Sequence, residues 1–141
     1  MTLKLYYNKL SIILNITSIA PFSGGWNRLT TDLNPWIQAN LGARHVLYGI
    51  TTQGAPEYQN WVTSYYVSFG NDGVIWSKIA TLFAGNTDRN TKVTNMLPLG
   101  SYGQFVRLHP ETSNGYRTVR WDVLGKGKLL YTEGNYGNQR G

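Results

Sequence analysis

The chain has 141 residues, no cysteine, and 13 Lys plus Arg against 7 Asp plus Glu, a formal net charge of +6. This length fits a single domain with one core, and the absence of cysteine excludes a disulfide framework. No apolar run approaches the length of a membrane-spanning helix, and the positive charge favours anionic partners such as acidic lipids, sulfated glycans or nucleic acid, although scattered basic residues can equally serve solubility.

The first residues of the chain are mixed apolar and basic, and residues 1–14 are predicted to form an extension before the domain. The segment from Leu10 to Ala20 has the apolar character and small-residue exit of a signal peptide. Pro21 would follow the cleavage point, where it is disfavoured. No clear signal peptide is therefore predicted.

Alternation of apolar and polar residues recurs along the rest of the chain, and no helical period continues beyond about two turns. This pattern predicts an all-β protein. The expected core consists of the apolar faces of these strands: Ile37, Ala39, Leu41, Tyr65, Val67, Phe69, Val106, Leu108, Val119, Trp121 and Val123.

Turn signals separate the strands. Asn71-Asp72-Gly73 predicts a tight hairpin, because Asp and Gly tolerate positive φ. Gly85 to Thr91 is a polar loop whose side chains can bond their own backbone, and Asp88 alone supplies too few oxygens for calcium. Residues 126–141 are rich in Gly, Asn and Tyr and predict a flexible tail or linker.

Residues that could carry catalysis are sparse. The two histidines, His45 and His109, are expected to be solvated or structurally satisfied, with His45 in the turn at Ala43 and Arg44. The seven carboxylates are dispersed along the sequence. We therefore expect no catalytic residue, no metal site and no cofactor.

Seven phrases of this sequence occur together in a familiar order: Trp36–Gly42, Ile50–Gly54, Trp61–Tyr65, Ser68–Trp76, Gly85–Thr91, Phe105–Pro110 and Val119–Gly125. In this order and spacing they resemble the coagulation factor V/VIII type C (discoidin) domain. The resemblance implies a jelly-roll β-sandwich of the galactose-binding-like type, a single domain at residues 15–125. It also implies extracellular recognition of glycans, anionic phospholipid or proteins through loops at one end.

The sequence departs from the family at three places. Lys126 stands where the family has a closing cysteine, and Asn40 stands where relatives often have aspartate, which puts an inherited ion pair in doubt. The connection from Ile19 to Gly25 is short. In lipid-binding relatives a long loop here carries apolar residues into the membrane, so its shortness counts against membrane insertion.

The resemblance also implies the binding residues. Trp36, Trp76 and Trp121 are expected in the core and Trp61 as a packed anchor, whereas Trp26 lies on a predicted loop and suits ligand stacking. Three segments are expected to form the site: Trp26, Asn27 and Arg28; Glu57, Tyr58 and Asn60 within Gln53 to Asn60; and Tyr116 and Arg117 within Ser113 to Arg117.

Three functions remain open on the sequence. The first is a non-catalytic, extracellular or cell-surface adhesion module that binds a glycan or a cell-surface or matrix protein. The second is peripheral binding to anionic phospholipid, favoured by the charge and opposed by the short first loop. The third is an ancillary binding domain of a larger secreted enzyme. We expect no nucleic-acid partner.

Overall fold

The computed structural model describes residues 2–7, 10–15, 26–27 and 34–127. Within these ranges no helix is long and apolar enough to cross a membrane. The described residues form strands β1 (Thr2–Tyr7), β2 (Leu10–Asn15), β3 (Trp26–Asn27), β4 (Ile37–Gln53), β5 (Trp61–Gly70), β6 (Ser77–Lys78), β7 (Phe83–Ala84), β8 (Val93–Met96), β9 (Tyr102–Asn114) and β10 (Thr118–Gly127). The predicted all-β class is confirmed.

Strand β4 is the longest element and takes part in two layers. Its first half pairs with β9, from Ile37 with Leu108 to Asn40 with Phe105. Its second half pairs with β10 and β8, and it begins with two further pairs to β9, at His45 and Val46. The pairing register shifts between Asn40 and His45. Gly42 lies in this interval with a φ of 80°, a conformation that favours glycine. The strand therefore bends here and passes from one layer to the other.

The antiparallel sheet curls on itself into a sandwich. Strands β1, β2, β4, β9, β5 and β6 follow one another, while β10 and β8 pair with the second half of β4, β3 pairs with β10, and β7 pairs with β5. Side chains of β5 and β9 share one core cluster with side chains of β10. Strand β10, which is hydrogen-bonded to β3 and β4, belongs to the other layer. The two layers therefore face each other across this shared core.

The buried cluster confirms the core predicted from alternation. Ten of the eleven expected side chains are buried, and the remaining one, Phe69, is partly buried and packs against the others. Tyr65 also stacks on Phe83, with ring centroids 5.7 Å apart. Alternating apolar residues thus meet across the sandwich, as a half-buried strand requires.

Two tryptophans predicted for the core lie elsewhere. Trp121 is buried as expected, but Trp36 and Trp76 are only half-buried and are not part of the core cluster. The guanidinium carbon of Arg107 lies 3.7 Å from the ring centroid of Trp36 and 4.0 Å from that of Trp76. Both indoles therefore pack through cation–π contacts with an arginine on the outer face of the sheet.

The prediction for His45 is also wrong. The expected solvated or hydrogen-bonded imidazole belongs to β4 rather than to a turn, and it is 6% exposed with neither ring nitrogen hydrogen-bonded. The hairpin prediction is correct, since the Asp72 carboxylate accepts hydrogen bonds from the N–H groups of Val74 and Ile75, both at 2.9 Å. These bonds lower the pKa of Asp72.

The terminal segments are described in part. Strands β1 and β2 form a hairpin, and β2 continues the sheet beside β4. Lys126 and Gly127 end β10, whereas residues 128–141, predicted as a tail or linker, lie outside the described residues.

One end of the sandwich gathers the segments that the sequence predicts for binding. Strands β4 and β9 end there, and β5 and β10 begin there, because Gln53 pairs with Arg120 and Trp61 pairs with Asn114. We call this the loop end. The bend of β4 at Gly42 lies at the opposite end.

Candidate ligand-binding site

Residues 54–60 form a closed loop at the loop end. The N–H of Ala55 donates to the carbonyl of Asn60, and the N–H of Asn60 donates to the carbonyl of Tyr58, both at 2.8 Å. Ala55 is fully buried, whereas the side chains of Glu57, Tyr58 and Gln59 are exposed. The loop therefore has a buried base and a polar, aromatic tip.

Gly54 allows this loop to approach its neighbours closely. Its N–H donates to the carbonyl of Arg89 at 3.0 Å. A Cβ at this position would lie 2.8 Å from the Cα of Arg89, the carbonyl oxygen of Asn60 and the Cβ of Trp61. Such distances are too short for a side chain, so the junction requires glycine.

A second loop, residues 85–92, is held by its own polar side chains. The Nδ2 atom of Asn86 donates to the carbonyls of Thr52 at 3.0 Å and Thr91 at 2.9 Å. Asp88 accepts from the N–H groups of Asn90 and Thr91 and from the hydroxyl of Thr91. These bonds lower the pKa of Asp88. The carboxylate thus closes the turn, in agreement with the self-bonding predicted for this loop.

Two arginines fasten this loop to the first. The Nη1 atom of Arg89 donates to the carbonyl of Pro56. From β10, Arg120 donates through Nε to the carbonyl of Gly54 at 2.7 Å and through Nη2 to the carbonyl of Arg89 at 2.9 Å. The backbone of both loops is therefore cross-linked by guanidinium groups.

A third segment, the turn between β9 and β10, closes the site. Gly115 adopts a φ of 69°, and the N–H of Tyr116 donates to the side-chain oxygen of Asn60 at 3.2 Å. Asn114 donates through Nδ2 to the carbonyl of Gln59 at 3.0 Å. The tips of this turn and of loop 54–60 are thus adjacent, and they bear the exposed rings of Tyr58 and Tyr116.

The predicted site residues have different positions in this arrangement. Asn60 uses its amide oxygen within the loop contacts, and Arg117 donates through Nη2 to the carbonyl of Glu111 at 2.6 Å. Trp26 and Asn27 were expected on a loop, but their backbone forms the short strand β3, which pairs with Val119 and Thr118 at the loop end.

The structure describes the segment from Trp26 to Arg28 only in part. The side chains of Trp26 and Asn27, and the whole of Arg28, lie outside the described residues. Their role in the site stays a prediction.

The sequence analysis did not single out Asn86, Arg89 or Arg120. All three lie within phrases that resemble the discoidin domain, and Asn86 also lies in the polar loop predicted to bond its own backbone. Their contacts join positions that are distant in sequence. Propensity and periodicity therefore did not indicate which carbonyls they would bind.

A serine on β5 and a histidine on β9 form a separate polar pair. The Oγ atom of Ser68 lies 2.7 Å from Nε2 of His109. Burial, followed by the charges of Lys78 and Arg107, lowers the pKa of His109 to about 4. This matches the structurally satisfied histidine that was predicted. Across the described residues no group of His, Cys, Asp and Glu side chains is arranged to hold a metal ion.

Comparison with known families identifies the fold. The family described as "F5/8 type C domain" matches this sequence over residues 15–123. The chain belongs to this family. The F5/8 type C (discoidin) domain is a non-catalytic binding module, although some structurally similar domains are parts of enzymes.

Individual relatives support this assignment. EGF-like repeat and discoidin I-like domain-containing protein 3 of mouse and human is 34% identical over 112 residues, which cover 71% of this chain. The match covers 23% of that protein, so the chain spans about a quarter of the length of this relative. A discoidin domain of this size is thus one part of a longer relative.

Solved structures show the same fold. Discoidin II of Dictyostelium discoideum superimposes with a TM-score of 0.74 at 23% identity, covering 94% of this chain and 61% of that chain. The Clostridium perfringens module CpGH89CBM32-5, in complex with GalNAc-beta-1,3-galactose, has a TM-score of 0.68 at 17% identity, covering 80% and 94%. The predicted jelly-roll sandwich of the galactose-binding-like type is confirmed.

We predict that Asn86→Ala destabilises the discoidin domain by about 1–3 kcal/mol, because it leaves two carbonyl groups without their donor. Asn86 is only 1% exposed. The matched control is Asn90→Ala in the same loop, since the Asn90 side chain is exposed and its backbone contacts remain. Urea denaturation measures both variants. Equal stability of the two would contradict the anchoring role of Asn86.

Two half-buried groups are expected to give opposite pH dependences of stability. The pKa of His109 is 6.5 in the unfolded chain but about 4 in the folded protein, so acidification between these two pH values favours unfolding. Burial raises the pKa of Asp122 from 3.8 to about 6, against the smaller effects of the Val123 N–H and Lys92. The folded protein therefore holds the Asp122 proton more tightly, and acidification from about 6 to 3.8 favours folding.

We predict that single substitutions separate these two effects. His109→Gln removes the destabilising protonation, so its melting temperature should fall less, or rise, between pH 6.5 and 4 compared with the wild type. Asp122→Asn removes the stabilising protonation, so its melting temperature should fall more steeply over the same interval. Thermal unfolding followed by circular dichroism gives the three profiles. Parallel profiles would show that neither pKa differs between the folded and unfolded states.

Proposed function

We propose that this discoidin domain is a non-catalytic module that binds carbohydrate at its loop end. The observation that carries the proposal is the pair of tyrosines, Tyr58 and Tyr116, which are 47% and 56% exposed on two adjacent, cross-linked loops. An aromatic face complements the C–H face of a sugar, and a tyrosine hydroxyl adds a hydrogen-bonding group at its edge. Two such rings at neighbouring tips supply a platform for a saccharide.

The rigidity of the loops supports this function. Loop 54–60 is held by Arg89, Arg120 and Asn114, each through a backbone carbonyl. A ligand that meets a preorganised surface loses less conformational entropy on binding than one that must order the loops. The polar neighbours of the rings, Glu57 and Gln59, can then contribute hydrogen bonds at fixed positions.

The composition of loop 54–60 favours sugar over lipid. Its exposed side chains are Glu57, Tyr58 and Gln59, and the aliphatic Ala55 is fully buried. A loop that enters a bilayer needs exposed apolar side chains, because burial of apolar surface drives insertion. The structurally similar module from Clostridium perfringens is in complex with a disaccharide. Binding to an anionic membrane remains the alternative that the experiments below test.

The cellular setting belongs to the same proposal. We place the module outside the cell or at its surface, where it recognises a glycan or a glycosylated cell-surface or matrix protein in adhesion. The resemblance to discoidin-domain proteins supports this setting. Pure protein should not turn over glycosides, esters or phosphates, since the Ser68 and His109 pair has a histidine whose depressed pKa makes it a weak base near neutral pH.

We predict that Tyr116→Ala weakens sugar binding about threefold to tenfold through loss of a stacking face. Its melting temperature should stay nearly unchanged, because Tyr116 is an exposed side chain. The matched control is Tyr48→Ala, which removes a 41% exposed tyrosine on β4, away from the loop tips. A glycan array that includes GalNAc-beta-1,3-galactose, followed by calorimetric titration, measures binding. Equal losses in both variants would contradict a platform at Tyr116.

Trp26 provides a second prediction for the same site. If its indole contacts ligand, Trp26→Ala should weaken binding while the free energy of unfolding changes by no more than about 0.5 kcal/mol. If the indole lies in the core instead, the substitution should cost about 3–5 kcal/mol. Denaturant unfolding and sugar titration of this one variant separate the two cases, and a large loss of stability would remove Trp26 from the site.

A further inference from the structure

Arg89 and Arg120 bring two positive charges together at the loop end. Arg120 reaches from β10 to the carbonyl of Arg89 at 2.9 Å and to the carbonyl of Gly54 at 2.7 Å, while Arg89 binds the carbonyl of Pro56. All three acceptors are neutral backbone groups. The contacts therefore fix the two guanidinium groups in place without neutralising them.

Glu57, Asp88 and Asp122 are the carboxylates that lie beside these contacts in the sequence. In the part of the chain that the structure describes, no carboxylate contacts either guanidinium. Burial, followed by the charge of Arg89, lowers the pKa of Arg120. Asp88 is committed to its own turn. Asp122 lies two residues from Arg120 on β10. Both guanidinium groups therefore lack a carboxylate partner among the described residues.

Both arginines retain unused donors. A guanidinium carries N–H groups on three nitrogens, and Arg120 commits Nε and one N–H of Nη2 to carbonyls while Arg89 commits one N–H of Nη1. Both side chains are half-buried rather than enclosed, so solvent reaches them. Planar guanidinium donors held at fixed positions match the oxygens of a sulfate or carboxylate group and bind them in a bidentate manner.

We infer that Arg89 and Arg120 form an anion subsite beside loop 54–60, and that the preferred ligand is an acidic glycan bearing a sulfate or carboxylate. The inference rests on the proposed function and names the ligand class of the same site. A phospholipid headgroup presents the same oxyanion chemistry. The glycan is favoured because the subsite adjoins a loop whose exposed tip is polar and aromatic.

The test compares a neutral sugar with its sulfated form. GalNAc-beta-1,3-galactose and the same disaccharide with a 6-sulfate on its GalNAc are titrated into the full chain at constant ionic strength, together with vesicles of phosphatidylcholine containing phosphatidylserine. The wild type should bind the sulfated sugar about tenfold more tightly than the neutral one, as one charge-assisted bidentate contact provides. Arg89→Gln and Arg120→Gln should each remove most of this preference.

Two further comparisons decide the result. Arg44→Gln removes the same charge from an exposed site at the bend of β4, far from the loops, and should retain the preference. If it loses the preference equally, net charge alone explains the effect and the subsite is overturned. If Arg89→Gln and Arg120→Gln weaken the neutral and sulfated sugars by the same factor, the arginines only support the loop, and the subsite is again overturned.

The outcomes also separate this inference from the proposed function. Binding of the neutral sugar without any gain from sulfate overturns the anion subsite and leaves carbohydrate recognition intact. If neither sugar binds and vesicle binding depends on Arg89 and Arg120, both the acidic-glycan ligand and carbohydrate recognition are overturned. The arginines then bind a lipid headgroup. A sulfate preference that is lost in both arginine variants, with no such loss in Arg44→Gln, supports the subsite.

Discussion

The bend of β4 is the constraint on which the sandwich depends. A single strand pairs with β9 on both sides of the bend and with β10 and β8 only after it, so both layers are joined through one backbone. Gly42 has a positive φ at this place, and its N–H donates to the side-chain oxygen of Asn40 at 3.0 Å. Since β4 continues to Gln53, the same strand also determines where loop 54–60 begins.

At the loop end, polar side chains divide into those that hold the loops and those that face solvent. Asn86, Arg89, Arg120 and Asn114 bind backbone carbonyls, which satisfies acceptors that irregular segments would otherwise leave unpaired. The tyrosines at the tips are left exposed on this supported backbone. A binding surface on loops therefore gains the rigidity that regular strands provide elsewhere.

Aromatic residues also lie on the outer face of the sheet, where they have a structural role. Arg107 contacts the indoles of both Trp36 and Trp76 and donates through Nε to the side-chain oxygen of Gln38 at 3.0 Å. Arg107 thus covers the two apolar indole rings, which lie on the outside of the sandwich and not in its core. This arrangement explains why two tryptophans within family phrases pack well and yet do not belong to the core.

The sequence by itself determined the all-β class, the core positions and the hairpin at Asp72, because alternation and turn propensity act between near neighbours. The family phrases extended this to the sandwich and to the segments that carry the site. Only the tertiary structure decided that His45 is buried, that Trp36 and Trp76 lie outside the core, and that Arg89 meets Arg120 across 31 positions of sequence. Those contacts depend on strand register and on how the sheet closes. Both are set by residues distant in sequence, so no local sequence pattern predicts them.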